Sequence, residues 1–221
     1  MTPRPARAHP RQRPTTILLA RHGQSVCNAE KRLSGQFDIA LSPKGIRQAH
    51  LLAQVLRRDR LSAIYTSTLI RAVETARPTA MAHGLPIQQC DALKEPHLGV
   101  LQGRFRDARD LEAQRLWHAR QQDKLHYRVP EGETFADLER RVLPCLNALL
   151  TCEAGNVVLI VGHRNTNRII LGALLHWPQD VALGVDMKSG ELYEILTGEE
   201  PRFMTRSVGE PLEAHRLGDH L

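Results

Sequence analysis

Two stretches of the chain share one pattern, an apolar run that stops at a histidine. Residues 16–28 read TILLARHGQSVCN, a short hydrophobic run followed by Arg21-His22-Gly23 and a polar turn. Residues 156–163, NVVLIVGH, repeat the device and end on His163. Unbroken apolar runs of this length predict strands buried on both faces, as in parallel sheets. After the first run, Ser42-Pro43 supply an N-cap and a first helical residue. Ile46, Ala49, Ala53 and Leu56 then fall on one face at helical spacing. Ala63–Thr66 reads as a short strand. Leu69, Ala72, Val73, Ala76 and Ala80 stripe a second helix that Gly84 can end, with a kink or early stop expected at Pro78. A strand-like stretch near 86–94 leads to Glu95.

Residues 97–130 lose this regularity and read as an insertion beside the site, with Trp117, His118 and Tyr127 more suited to packing it than to touching a ligand. Thr134, with Asp137 three residues on, caps a helix carrying Phe135, Leu138, Val142, Leu146 and Leu149 on one face despite Pro144. The second histidine-ended strand follows, then a helix over roughly 165–176, and strand character returns at Glu191–Leu196. No usable pattern is present after about 204. Strands alternating with helices predict an α/β fold: three layers, α/β/α, around a mainly parallel central sheet with helices on both faces. The organisation expected is a basic, disordered leader at 1–14, one catalytic domain over 15–204 containing the insertion, and a C-terminal tail at 205–221.

Composition changes this picture little. At 221 residues the chain can bury a sizeable core, and 42% hydrophobic with 24% charged residues is ordinary for a globular protein. The net charge of +6 suggests nucleic acid until its location is considered. Arg4, Arg7, Arg11 and Arg13 lie in the leader with no acid, so the remainder carries only about +2. With aromatics at 4% and no basic stripe interleaved with them, a nucleic-acid partner is not expected. Cys27, Cys90, Cys145 and Cys152 are scattered without a CxxC pair, which predicts free thiols, no metal site and a reducing compartment. Cys27 is expected to be a small packing residue. The start has no apolar signal-peptide core and no run is long enough to span a bilayer, so a cytoplasmic protein without a membrane partner is expected. Oligomeric state is left open, a homodimer being the commonest assembly in general.

The chemistry-bearing residues sit at strand ends. Arg21, His22, Glu95 and His163 each lie just past a predicted strand, and Arg71 lies at the start of the following helix. Strand ends of one parallel sheet share an edge, which is where open α/β sheets bind ligands. Two guanidinium forks match phosphate oxygens, a neutral imidazole can attack phosphorus, and a carboxyl group can protonate a leaving oxygen. Together these parts describe phosphoryl transfer through a covalent histidine intermediate. Arg104, Arg106, Arg109, Arg115 and Arg120 of the insertion can meet a second anionic group or face water, and the solvated reading is preferred.

Five ordered blocks carry a family resemblance. RHGQSxxN at 21–28, with Ser34-Gly35-Gln36, Asp38, Leu41-Ser42 and Gly45 behind it, is similar to the histidine phosphatase (phosphoglycerate mutase-like) superfamily. So are TSTLIRAVETA at 66–76, LKEPHLGVLQG at 93–103, PEGETFADLERRV at 130–142 and VGH at 161–163. The resemblance implies that His22 is the nucleophile and that Arg21, Arg71 and His163 hold the phosphoryl oxygens. It implies that Asn28 contacts the phosphate and orients the nucleophile, that Glu95 gives a proton to the leaving group, and that Gly35 and Gln36 contact the rest of the substrate. Neither metal nor cofactor is implied. Asn165 stands where many relatives have small residues, which touches the substrate rather than the chemistry.

The activity expected is therefore hydrolysis of a small phosphorylated metabolite by a metal-independent phosphomonoesterase. A phosphoglycerate mutase on the same core is the nearest alternative. It is disfavoured because residues 104–130 are shorter than the aromatic- and Arg-rich segment usual in such mutases. A non-catalytic phospholigand-binding module and a metallohydrolase built on the two histidines and Glu95 are the remaining classes.

Overall fold

A computed structural model describes residues 14–208. Most of the expected leader at 1–14, and the tail beyond 208, lie outside the described residues. In chain order the elements are β1 (Thr16–Arg21), α1 (Val26–Ala29), α2 (Pro43–Leu56), β2 (Ala63–Thr66), α3 (Ile70–His83) and β3 (Ile87–Gln89). They continue with α4 (Leu111–Gln122), α5 (Phe135–Cys152), β4 (Val157–Gly162), α6 (Arg164–Leu175), α7 (Gln179–Gly184), β5 (Glu191–Leu196) and β6 (Arg202–Ser207).

The strands form one six-stranded sheet in the order β3-β2-β4-β1-β5-β6. The first four are mutually parallel, and β5 and β6 extend the sheet antiparallel. The two histidine-ended runs are neighbours at its centre, with Arg21 opposite Gly162. Alternation along β1 divides the interior into two layers. Ile17 and Leu19 face a cluster with α5 and α6, whereas Leu18 and Ala20 face one with α2 and α3. Both faces are thus apolar, and the α/β/α architecture with a mainly parallel sheet is observed.

The local signals act as their chemistry predicts. Ser42 caps α2 by accepting from the Gly45 N–H, with Pro43 at the first helical position. Thr134 and Asp137 form a reciprocal capping box on α5, whose five striped apolar residues are all buried. Gly84 ends α3 in the left-handed conformation, at φ 64°. Cys27 is fully buried as a small packing residue.

Four expectations are corrected. Of the kink or early stop expected at Pro78 the early stop does not occur, because its missing N–H removes one intrahelical bond while Ala72, Ala76 and Ala80 hold the helix, which runs on to His83, to the sheet. Ile46 is half exposed, since the buried stripe of α2 is centred on Gly45, Ala49, Leu52 and Leu56 and leaves Ile46 at its border. The strand-like stretch near 86–94 is only three residues of β3 followed by a 3₁₀ turn at Asp91–Leu93. The segment after 204 begins in a strand despite its lack of pattern, because β6 runs from Arg202 to Ser207 across that boundary.

The 97–130 region is not wholly irregular either. It contains α4 and a small core of its own, in which Leu33, Leu98, Leu101, Ala113 and Val129 are buried, with Trp117 and Tyr127 packed against them. Its arginines do not share one environment. Arg104 is paired with Asp110 and Glu112, Arg109 with Asp107, and Arg120 is buried rather than solvated. Among the described residues, no helix is long and apolar enough to cross a membrane.

Candidate active site

At the carboxyl ends of β1 and β4 the chain turns sharply, and that turn fixes His22. Its backbone N–H donates to the Gly162 carbonyl at 3.0 Å, which continues the β1–β4 ladder by one residue. Its Nδ1 lies 2.6 Å from the Gly23 carbonyl. A carbonyl can only accept, so Nδ1 carries the ring proton and the lone pair is on Nε2. Gly23 allows the turn because α2 passes directly over it. A Cβ there would stand 2.6 Å from the Gly45 carbonyl oxygen.

His163, the residue after β4, lies beside His22 with ring centroids 5.0 Å apart. Its Nε2 is 2.7 Å from Ser67 Oγ at the end of β2, and that oxygen also accepts from the Leu69 N–H. A hydroxyl that donates to Nε2 while accepting from Leu69 satisfies both contacts and leaves the His163 proton on Nδ1. His163 Nδ1 has no partner although it is buried, and the same is true of Arg21 Nε and Arg71 Nε. Buried donors without acceptors are costly and uncommon, and three of them around one imidazole form a socket for an anion.

Both guanidinium groups also brace the backbone. Arg21 Nη1 donates to the Met187 carbonyl at 3.0 Å. Arg71, 1% exposed, donates from Nη1 to the Phe37 carbonyl at 3.0 Å and from Nη2 to the Gly35 carbonyl at 2.7 Å. Arg71 therefore ties the 35–37 loop to the site. Gly35 has φ 51°, the left-handed region that favours glycine, and its neighbour Gln36 donates its N–H to Gln102 Oε1. Asn28 spends its Oδ1 on the Ser25 N–H in the α1 capping box, and its amide nitrogen is not needed for that contact.

Glu95 enters from a different segment and sits on the first turn of α6. Both its carboxylate oxygens accept from the Asn165 N–H, at 3.2 and 3.1 Å, and Oε2 accepts from the Thr166 N–H. The Asn165 side chain adds a bond from Nδ2 to Oε1 at 2.7 Å. Arg141 holds the approach, donating to the carbonyls of Ala92, Lys94 and Glu95 while paired with Glu133. The charge of Glu95 acts on Arg21 and Arg71, which places the carboxylate within the cationic centre.

The electrostatics follow from burial. His22 and His163 are pushed well below the usual 6.5, first by desolvation and next by the Arg71 charge, so both rings are neutral near pH 7. Arg21 is lowered to about 10, again chiefly by burial, with Arg164 adding repulsion. Arg71 is lowered by the same desolvation. The site is thus a neutral nucleophilic nitrogen among fixed cations and unfilled donors, with a carboxyl group at its side. Among the described residues, no three His, Cys, Asp or Glu side chains gather as metal ligands.

Arg21, His22, Arg71, Glu95 and His163 converge here, with Gly35 and Gln36 on the loop that Arg71 braces, and the parts are positioned by Asn165 and by three residues the sequence does not mark. Those three are Ser67, Thr75 and Arg141, Thr75 Oγ1 accepting the Gly23 N–H at 2.9 Å. Asn165 had stood out in the sequence only as a bulky departure, without a role at Glu95.

Fold and centre together define an α/β protein with two buried, neutral histidines and two arginines gathered at the carboxyl edge of its parallel strands. Residues 17–208 match the histidine phosphatase superfamily (branch 1), and the chain belongs to that family. It is 33% identical over 185 residues to the Yersinia pestis protein named "Probable phosphoglycerate mutase GpmB", covering 84% of this chain and 86% of that one. Among solved structures it is similar to the mycobacterial glucosyl-3-phosphoglycerate phosphatase, with a TM-score of 0.76, 27% identity, and coverage of 88% and 98% of the two chains. The α-ribazole phosphatase of Shigella flexneri is also similar, with a TM-score of 0.77, 25% identity, and coverage of 88% and 96%.

Proposed function

We propose that the protein is a metal-independent phosphomonoesterase that hydrolyses a small phosphorylated metabolite through a phosphohistidine. One observation carries the reading. The His22 lone pair is held on Nε2 by the Gly23 carbonyl, in a ring kept neutral by burial and surrounded by unfilled donors of Arg21, Arg71 and His163. Nε2 attacks phosphorus and forms a P–N bond as the bond to the ester oxygen breaks, and Glu95, entering this step in its protonated form, gives its proton to that oxygen. Water then attacks the phosphohistidine, Glu95 takes the water's proton, and the P–N bond breaks to release phosphate and restore His22. Charge on the transferring group is met by Arg21, Arg71 and His163, with Asn28 at its side, because phosphoryl transfer relies chiefly on positioning and charge stabilisation. Gly35 and Gln36 line the way to the rest of the substrate.

A mutase that retains its phosphohistidine is the second reading, favoured by the name of the Yersinia relative. The test is phosphate release from a panel of phosphomonoesters with chelator present, for wild type and His22→Ala. Release that survives chelator and vanishes in the variant is the expected result. Interconversion of phosphoglycerates without release would give the mutase reading instead, and loss of release on chelation would give a metallohydrolase.

A further inference from the structure

Arg21 and Asn28 border a second feature, a cleft of about 270 Å³ that opens beside the reacting centre. Its wall also holds Lys31, Arg32, Lys44, Arg106 and Arg164, and among the described residues no Asp or Glu lines it. The remaining lining is uncharged and polar.

The pairing of these cations is uneven. Arg32 is paired with Glu30 and Arg164 with Asp186. Lys31, Lys44 and Arg106 have no ion pair among the described residues, although they come from three separate segments. Neighbouring arginines are treated differently. Arg104 has two carboxylate partners at 2.7 and 2.8 Å, and Arg109 has one at 2.7 Å. Among the described residues, acids are therefore placed around the cleft without being placed in it. Like charges gathered on one concave wall repel one another and concentrate positive potential there, and a bound anion removes the repulsion.

Lys31 stands just past the end of α1 with φ 61°, a left-handed position that glycine fills at lower cost. Its side chain lines the cleft.

We propose that this cleft is a subsite for a second phosphate or carboxylate of the substrate. The preferred substrate class is then a phosphomonoester whose small skeleton carries another anionic group. The inference rests on the phosphomonoesterase reading, because Arg21 and Asn28 join the cleft to the centre where the reacting phosphoryl group would bind. Lysine ammonium groups and single guanidinium groups recognise either anion as a charge, so the two chemistries are separated by experiment.

Three probes with one three-carbon chain make the comparison: propyl phosphate, 3-phosphonooxypropanoate and propane-1,3-diyl bisphosphate. The expected result is a kcat/KM about tenfold higher for at least one anionic-tail probe than for propyl phosphate, carried by KM and fading as salt is raised. Whichever tail is favoured identifies the second group. Lys44→Gln combined with Arg106→Gln should lose more kcat/KM on the anionic-tail probe than on propyl phosphate, and Lys44→Arg should keep the preference. Both residues are exposed, so folding is not put at stake.

A second measurement separates the two readings: calorimetric binding of propane-1,3-diyl bisphosphonate and of propylphosphonate, neither of which can be hydrolysed at its P–C bonds. Equal kcat/KM on all three probes, unmoved by the double variant, overturns the subsite and leaves hydrolysis standing. No turnover of any probe, with the bisphosphonate still bound more tightly through Lys44 and Arg106, supports the subsite and overturns hydrolysis.

Discussion

Asn165 donates from Nδ2 to Glu95 Oε1 at 2.7 Å while its own backbone N–H reaches both oxygens of the same carboxylate. Its Oδ1 in turn accepts from Arg168, so the amide cannot rotate without losing a bond at each end. Asn165 thus aims the group proposed to protonate the leaving oxygen. Asn165→Ala is expected to lower kcat on alkyl phosphates about tenfold, in line with a lost hydrogen bond to a charged group. The loss should shrink on p-nitrophenyl phosphate, whose leaving group needs no proton. An equal loss on both substrates would count against this role.

Ser67 and His163 form a similar pair one strand away. Removing the hydroxyl with Ser67→Ala leaves Nε2 without the donor that keeps the ring proton on Nδ1. We expect kcat/KM to fall between about tenfold and a hundredfold, the scale of a lost transition-state hydrogen bond. Asn is the conservative comparison, since its amide can still donate, and Ser67→Asn should recover part of the loss. Steady-state kinetics of the two variants check this.

Arg71 combines bracing and binding in one guanidinium. Arg71→Lys cannot reach the Gly35 and Phe37 carbonyls while also supplying an Nε donor. The expected loss in kcat/KM corresponds to about 3–4 kcal/mol, by analogy with removal of an oxyanion donor. Denaturant unfolding should also show lower stability, because two carbonyls lose their buried partner.

The buried histidines make stability depend on pH. Both fold with their proton affinity pushed well below 6.5, while unfolding returns them to about that value. Below about pH 6.5 the unfolded chain binds more protons than the native one, so stability falls as pH falls and is level in this respect above that pH. Each ring contributes a slope of up to about 1.4 kcal/mol per pH unit in that window. Urea unfolding of wild type and His163→Gln between pH 7.5 and 5 measures it, and an unaltered slope in the variant rules the assignment out.

Gly23 offers a purely steric test. A methyl group there meets the Gly45 backbone at 2.6 Å, and backbone cannot rotate aside as a side chain can. Gly23→Ala is expected to cost about 1–3 kcal/mol, the usual range for overpacking, and to reduce turnover by shifting the carbonyl that holds His22 Nδ1. Thermal unfolding and kcat should both respond, whereas Gly84→Ala meets nothing within 4 Å and strains only its own φ.

What the sequence revealed, and what it hid, follows from how far apart the interacting residues are. β1 and β4 were legible because each is buried on both faces and ends at its histidine, so composition and function change at the same residue. The capped helices were legible because a cap is written within four residues. Ser67, Arg141 and Asn165 act on partners 96, 46 and 70 residues away, and such bonds leave no periodic trace. β6 was missed because it is an edge strand with Phe203 and Met204 exposed, so no inward–outward alternation marks it. α4 was missed for a related reason: it buries only Ala113 and Arg120.

The small core beneath the insertion has a consequence for how such a chain can diversify. Leu98, Leu101, Ala113 and Val129 pack with one another and with Leu33 rather than with either large cluster. Changes in that segment are therefore largely uncoupled from the packing that holds His22 and His163 in register. Mutational drift can accumulate there while the sheet is left alone. A family built this way can acquire new substrates by rewriting one segment and inheriting the rest.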